Sequence, residues 1–138
     1  MRSLFLDTSV PLLAIGGASA SRQACRSVLE SAGRGEFRLH LSVEAGQEFL
    51  FHRTRRVGQA RAVEEFDAFD AMVVWHEFDV ETLRRSRDLV SSGHARGRDA
   101  VHAASALLAG FSQIVSCDAD FDDIPGLRRL DPAQPSFP

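Results

Sequence analysis

The chain contains no lysine and no tyrosine, one tryptophan and two cysteines, and all 16 of its basic residues are arginine. The absence of lysine removes every mechanism that needs an amine nucleophile or a lysine phosphate ligand. Cys25 and Cys117 are far apart in sequence, with no CxxC or Cys/His spacing. That argues against a zinc site and a disulfide framework, and points to two reduced, partly buried thiols in a cytoplasmic protein. Long apolar runs are missing too. The N-terminal run is short and interrupted by Asp7, so no secretory signal is expected. No stretch approaches the roughly 20 apolar residues that a membrane-spanning helix needs.

What is present suits one compact domain: 138 residues, 44% of them hydrophobic. The net charge of -3 excludes a chain that binds nucleic acid as a bulk polycation. Segment 2–7 (RSLFLD) is apolar on both faces and too short for a helix, so it reads as a buried strand. Pro11 falls near the start of a short helix ending at Gly16-Gly17. Ala24, Cys25, Val28, Leu29 and Ala32 recur at helical spacing in a helix expected from Ser19 to Gly33. Alternation over 37–42 (FRLHLS) predicts a second strand, with Ser42 as N-cap of a helix over 43–56. A helix over 60–72, a strand over 73–78, a helix capped by Asp79, an alanine-rich helix over 98–110 and a strand over 113–121 follow. Residues 124–132 form a short edge element. Strands alternating with helices imply an α/β sandwich with parallel pairing and helices on both faces. In such sheets ligands bind at the carboxyl ends of strands.

Asp7 and Asp118 both stand at carboxyl ends of predicted strands. Asp7 alone serves equally well as an acid at the next helix N-terminus. Glu48 lies one turn beyond Glu44, which the helix dipole already explains. Asp99, His102, Ala103 and Ala106 share one helical face. Asp120 follows Asp118 by two residues, while Asp122 and Asp123 suit an acidic surface turn. Each acid has an ordinary explanation; together they form a recurrent placement at one end of the predicted sheet. Clustered carboxylates repel, and a bound cation offsets the repulsion. Oxygen donors with few histidines select Mg²⁺ or Mn²⁺ over zinc or copper.

LDTSV, SVEAGQEF, RDAVHAASAL and VSCDADFDDIPGLRRLDP, in that order, resemble the motifs of PIN-domain ribonucleases, with the VapC-type toxins of bacterial toxin–antitoxin pairs the nearest match. The resemblance spans nearly the whole chain. It implies a PIN-like α/β fold with a central, mostly parallel sheet of four to five strands, over a single domain at 1–132, with 133–138 a loose tail. It implies Asp7, Glu48, Asp99 and Asp118 as catalytic acids, with Asp120 assisting or sharing the fourth role. Asp7, Asp99 and Asp118 would hold Mg²⁺ or Mn²⁺, with Glu48 binding directly or through water. Thr8 and Ser116 match hydroxyls usual beside the first and fourth acids, and His102 supports the site or the core. Gly46 departs from the pattern, standing where a larger apolar residue is expected.

The implied activity is metal-dependent endoribonuclease cleavage by an activated water, leaving 5′-phosphate and 3′-hydroxyl ends, in the bacterial cytoplasm. RNA needs a positive track. Arg53, Arg55 and Arg56, with Arg61, form one candidate; Arg84, Arg85 and Arg87 a second; Arg96 and Arg98, immediately before Asp99, the best placed. The resemblance also implies a homodimer and a cognate antitoxin. A haloacid-dehalogenase-like phosphatase needs a second aspartate where Ser9 stands and, like a receiver domain, a lysine. A non-catalytic RNA-binding or regulatory PIN domain, and a DNA-directed nuclease of the same fold, are the remaining alternatives.

Overall fold

A computed structural model describes residues 1–138. The order is β1 (Arg2–Phe5), α1 (Ser9–Ile15), α2 (Arg22–Gly33), β2 (Phe37–Ser42), α3 (Val43–Val57), α4 (Gln59–Asp70), β3 (Val73–His76), α5 (Val80–Ser91), α6 (Gly97–Leu108), β4 (Gln113–Val115) and β5 (Arg128–Leu130). A single 3-10 turn, Ala119–Phe121, lies between the last two strands.

β1, β2 and β3 pair in that order, all parallel, with Leu4 opposite Leu39 and Leu39 opposite Val73. β4 and β5 form a second parallel pair. A parallel bridge between Leu6 and Val115 joins the two, and the Asp7 N–H donates to the Val115 carbonyl at 3.1 Å. The five strands therefore run 3-2-1-4-5. The order reverses between β1 and β4, where a crevice opens at the strands' carboxyl ends. All five are parallel, where the sequence led to a mostly parallel sheet of four to five.

Burial on both faces explains the unbroken apolar run Leu4–Phe5–Leu6 at the end of β1. Leu4 and Leu6 turn to one face with Leu39, Leu41 and Val115, against Val10, Ala14, Cys25, Val28, Ala45 and Phe69. Phe5 and Ile114 turn to the other, against Leu89 of α5, four alanines of α6, and Phe121, Ile124 and Leu127. The alanine-rich face of α6 lets that helix lie close on the sheet.

Helix ends follow local chemistry. Ser42 has extended backbone and its Oγ accepts the Ala45 N–H at 3.1 Å, capping α3. Asp79 caps α5 through the Thr82 N–H at 2.9 Å. Gly58, at φ +86°, turns the chain so that α4 folds back on α3, with Phe49 stacked on Phe69 and Arg53 bonded to Glu65. Gly46, the departure noted in the sequence, faces Trp75. A Cβ there would sit 2.9 Å from two carbons of the indole. The tryptophan therefore occupies the space of the expected larger side chain. It stacks on Phe66 and donates to Asp70 at 2.6 Å.

Element boundaries differ from the sequence reading, beginning with β1, which stops at Phe5. α2 begins at Arg22 rather than Ser19, and the third and fourth strands stop at His76 and Val115. The Ser116 N–H still donates to the Leu130 carbonyl; from Cys117 onward the backbone N–H groups turn to side chains, Ser9 Oγ and Ser116 Oγ, which ends the ladder. Of the tail at 133–138, Phe137 packs on the first core and its N–H donates to the Gln134 carbonyl at 3.0 Å, while the other five residues are exposed. No helix is long and apolar enough to cross a membrane.

Candidate active site

The strand reversal brings the acids together. Asp7 emerges from β1, Glu48 stands on α3, Asp99 on the first turn of α6, and Asp118 and Asp120 follow β4. One carboxylate oxygen from each of Asp99, Asp118 and Asp120 lies within 4.8 Å of the others. The close trio thus takes in Asp120, read from sequence as an assisting acid. Asp7 lies behind it, 5% exposed.

Asp7 is held by its neighbours. The Ser9 hydroxyl donates to Asp7 Oδ1 at 2.5 Å, and the Ser9 N–H donates to the same oxygen at 3.2 Å. Burial pushes the Asp7 carboxyl up to about 6, against the pull of hydrogen bonds from Ser9 and Ser116. Asp99 is also raised, first by burial and then by the charge of Asp118. Two acids strained upward mark a pocket short of positive charge.

Glu48 has a different setting. Thr8 Oγ1 donates to Glu48 Oε1 at 2.8 Å, and His102 Nε2 lies 3.1 Å from the same oxygen. Burial alone would raise Glu48; hydrogen bonds from His102 and Thr8, with the Arg98 charge, outweigh it and hold the carboxyl below its ordinary value. On the far side of the ring, His102 Nδ1 is 2.9 Å from Ser42 Oγ. Ser42 already accepts the Ala45 N–H, so its own hydrogen is free for Nδ1. The ionised Glu48 carboxylate can only accept, so Nε2 carries a proton directed at Glu48. His102, 2% exposed, is thus a positioning residue linking α6, the α3 cap and Glu48.

Thr8 bonds Glu48, and Ser116 Oγ accepts the Asp118 N–H at 2.9 Å. Asp118 Oδ1 in turn accepts the Asp120 N–H at 2.9 Å, fixing both acids on the 3-10 turn. Ser9 was missed as a site residue, and so was the second role of Ser42. The adjacency of Ser9 to Asp7 was the only signal available for the former.

The arginines divide. Arg96 lines a cleft of about 500 Å³ together with Asp99, Asp120, Asp123 and His94. Arg98 reaches toward Glu48 at 3.8 Å and Glu44 at 4.0 Å. Arg55 and Arg56 line a separate cleft with Leu12, Leu13 and Phe51, away from the acids. Arg53 borders that cleft too, but it is 7% exposed and forms two hydrogen bonds to Glu65, at 2.8 and 3.1 Å, which tie α3 to α4.

The donor set fits a hard dication: carboxylate oxygens from three positions, spaced within the span of opposite ligands around one ion, with no thiolate or imidazole among them. A model of the PIN-domain family matches residues 4–127. A VapC ribonuclease of Mycobacterium bovis and ribonuclease VapC13 of Mycobacterium tuberculosis are each 29% identical to this chain over 132 residues, covering 92% of it and 98% of their own length. Among solved structures, DNA-bound VapBC from Salmonella typhimurium superposes with a TM-score of 0.73 at 18% identity, over 96% of this chain and 100% of that one. Mycobacterium tuberculosis VapC20, a sarcin–ricin-loop-cleaving toxin, gives 0.70 at 17% identity, over 86% and 92%.

Proposed function

The chain belongs to the PIN-domain family, and on that premise we propose that it is a metal-dependent endoribonuclease, the toxin of a VapC-type toxin–antitoxin pair. The observation that carries this reading is the close trio Asp99, Asp118 and Asp120 with buried Asp7 behind it. The two mycobacterial relatives, named as ribonucleases and matched over nearly their whole length, support the substrate class.

In this reading Asp99, Asp118 and Asp120 hold Mg²⁺ or Mn²⁺, with Asp7 adding charge from behind. The ion supplies activation of water and polarisation of the phosphodiester. The remaining work falls to the chain. Glu48, kept ionised by His102 and Thr8, would bind the ion directly or through water. Arg96 and Arg98, flanking Asp99, hold the RNA phosphates on the rim of the cleft. Arg55 and Arg56 serve the RNA only if it extends beyond that cleft. Ser9 and Ser116 keep Asp7 and Asp118 oriented when no ion is bound.

The partner is proposed to be a cognate antitoxin, on the likeness to VapBC structures, with the toxin acting as a homodimer in the bacterial cytoplasm. The test is cleavage of mixed cellular RNA by the purified chain with Mg²⁺ or Mn²⁺, with chelator, and with Asp99→Asn. Metal-dependent cutting lost in the variant supports the reading. A folded protein that binds RNA and Mn²⁺ yet never cuts it refutes catalysis and leaves a binding role. Cutting that persists in chelator refutes the metal site.

A further inference from the structure

The two cysteines, 92 residues apart in sequence, meet in space. Cys25 Sγ on α2 lies 3.3 Å from Cys117 Sγ, just past β4. Cys25 is fully buried and Cys117 is partly exposed, and both are free thiols. They are the only thiols in the chain, so no third sulfur competes for either. A disulfide needs the two sulfurs at about 2.05 Å, so the gap closes by about 1.2 Å, within reach of side-chain rotation.

We propose that Cys25 and Cys117 form an oxidation site, at which hydrogen peroxide converts the pair to an intramolecular disulfide tying α2 to the acid-bearing end of β4. Cys117, the accessible thiol, attacks the peroxide. The O–O bond breaks, the thiol proton leaves with the departing oxygen as water, and a sulfenic acid remains. The Cys25 sulfur then attacks the Cys117 sulfur. The S–S bond forms, the S–O bond breaks, and the Cys25 proton leaves with that oxygen as a second water. The thiols lose two electrons and two protons, and the peroxide is reduced to two waters. Burial of Cys25 protects it from direct oxidation, so the order of the steps is set by access.

The bridge would not be remote from the acids. The Cys117 N–H donates to Ser9 Oγ at 3.2 Å, and that same hydroxyl donates to Asp7. Asp118 is the next residue. Drawing Cys117 toward α2 therefore acts on the hydrogen bonds that orient two of the acids.

The test uses the reduced full-length chain, treated with hydrogen peroxide under native conditions. It is read by intact mass, peptide mapping and amide NMR, none of which depends on RNA cleavage. Expected are loss of two hydrogen masses, a Cys25–Cys117 linked peptide in single chains, recovery of both thiols with dithiothreitol, and displaced amide signals for Ser9, Cys117 and Asp118. Cys25→Ser should stop at a sulfenic acid on Cys117 that dimedone traps. If that buried substitution unfolds the chain, Cys117→Ser makes the complementary check, leaving Cys25 unreacted. The proposal is overturned if the wild-type chain keeps both thiols, if Cys117 proceeds to higher acids while Cys25 stays alkylatable, or if the bridge forms between chains. Unmoved amides in the oxidised form would overturn the connection to the acids.

Discussion

Asp7→Asn should make the metal-free protein more stable while disabling its proposed chemistry. The Asp7 carboxyl is raised from 3.8 to about 6, chiefly by burial. The folded state therefore holds the proton more tightly than the unfolded chain does. Below about pH 3.8 Asp7 is neutral in both states and burial of its charge costs nothing. Between 3.8 and about 6 the unfolded chain ionises first, so stability falls as pH rises; above about 6 the whole penalty is present. At roughly 1.4 kcal/mol per pH unit, that penalty is on the order of 3 kcal/mol. Asparagine is near-isosteric and keeps an oxygen for Ser9, so it removes the charge and little else. In urea denaturation with chelator at pH 7.5, the variant should gain about 2–3 kcal/mol, a midpoint shift of roughly 1–2 M. At pH 3.5 the two proteins should unfold together. Added Mn²⁺ should stabilise the wild-type chain, as a ligand of the folded state does, and the variant less. A variant less stable than wild type at pH 7.5, or a difference between them that ignores pH, would refute the argument that burial of this charge costs the fold.

Three other outcomes follow from named contacts. Gly46→Ala forces a Cβ against the Trp75 ring; overpacking of about 1–3 kcal/mol, partly offset by up to ~1 kcal/mol of helix propensity, should leave a net loss in thermal denaturation and a shifted emission from the only tryptophan. Unchanged fluorescence and stability would count against the close packing. Arg53→Ala should cost about 1–3 kcal/mol by removing two hydrogen bonds to Glu65, which keeps Arg61 at 3.6 Å, yet leave the salt dependence of RNA binding unaltered, and a reduced salt slope in a still-folded variant would place Arg53 on the RNA track. Arg96→Ala should lower that log–log salt slope by about 0.7–0.9 with little change in urea midpoint, as loss of one phosphate contact does; an unchanged slope places the RNA elsewhere.

Local pattern carried the architecture and the acids. The both-faced apolarity of Leu4–Phe5–Leu6, the alternation of FRLHLS and the caps Ser42 and Asp79 all act within a few residues, and each lies where its chemistry directs. Asp7, Glu48, Asp99, Asp118 and Asp120 were legible because their places relative to strands and helices recur as an ordered set. What stayed hidden depends on partners far along the chain. Arg53 sits in a run of arginines that reads as solvated charge, and only the packing of α3 on α4 brings Glu65 to it. Gly46 reads as a weak point until Trp75 arrives from β3. Cys25 and Cys117 have no diagnostic spacing, since the parallel bridge at Leu6 and Val115 sets the strand positions that let them meet. Membership of Asp120 in the close trio turns on one backbone hydrogen bond to Asp118.

The insertion of β1 between β2 and β4 has a consequence for the chain during its synthesis. Asp7 precedes its partners Asp99, Asp118 and Asp120 by 92 residues or more, and β1 gains its second neighbour only when Val115 arrives. Contacts this distant in sequence form late. A chain still growing on the ribosome thus carries the first acid without the pocket that would employ it. Assembly of the acid cluster waits for β4, and a truncated product that ends before β4 is left without it.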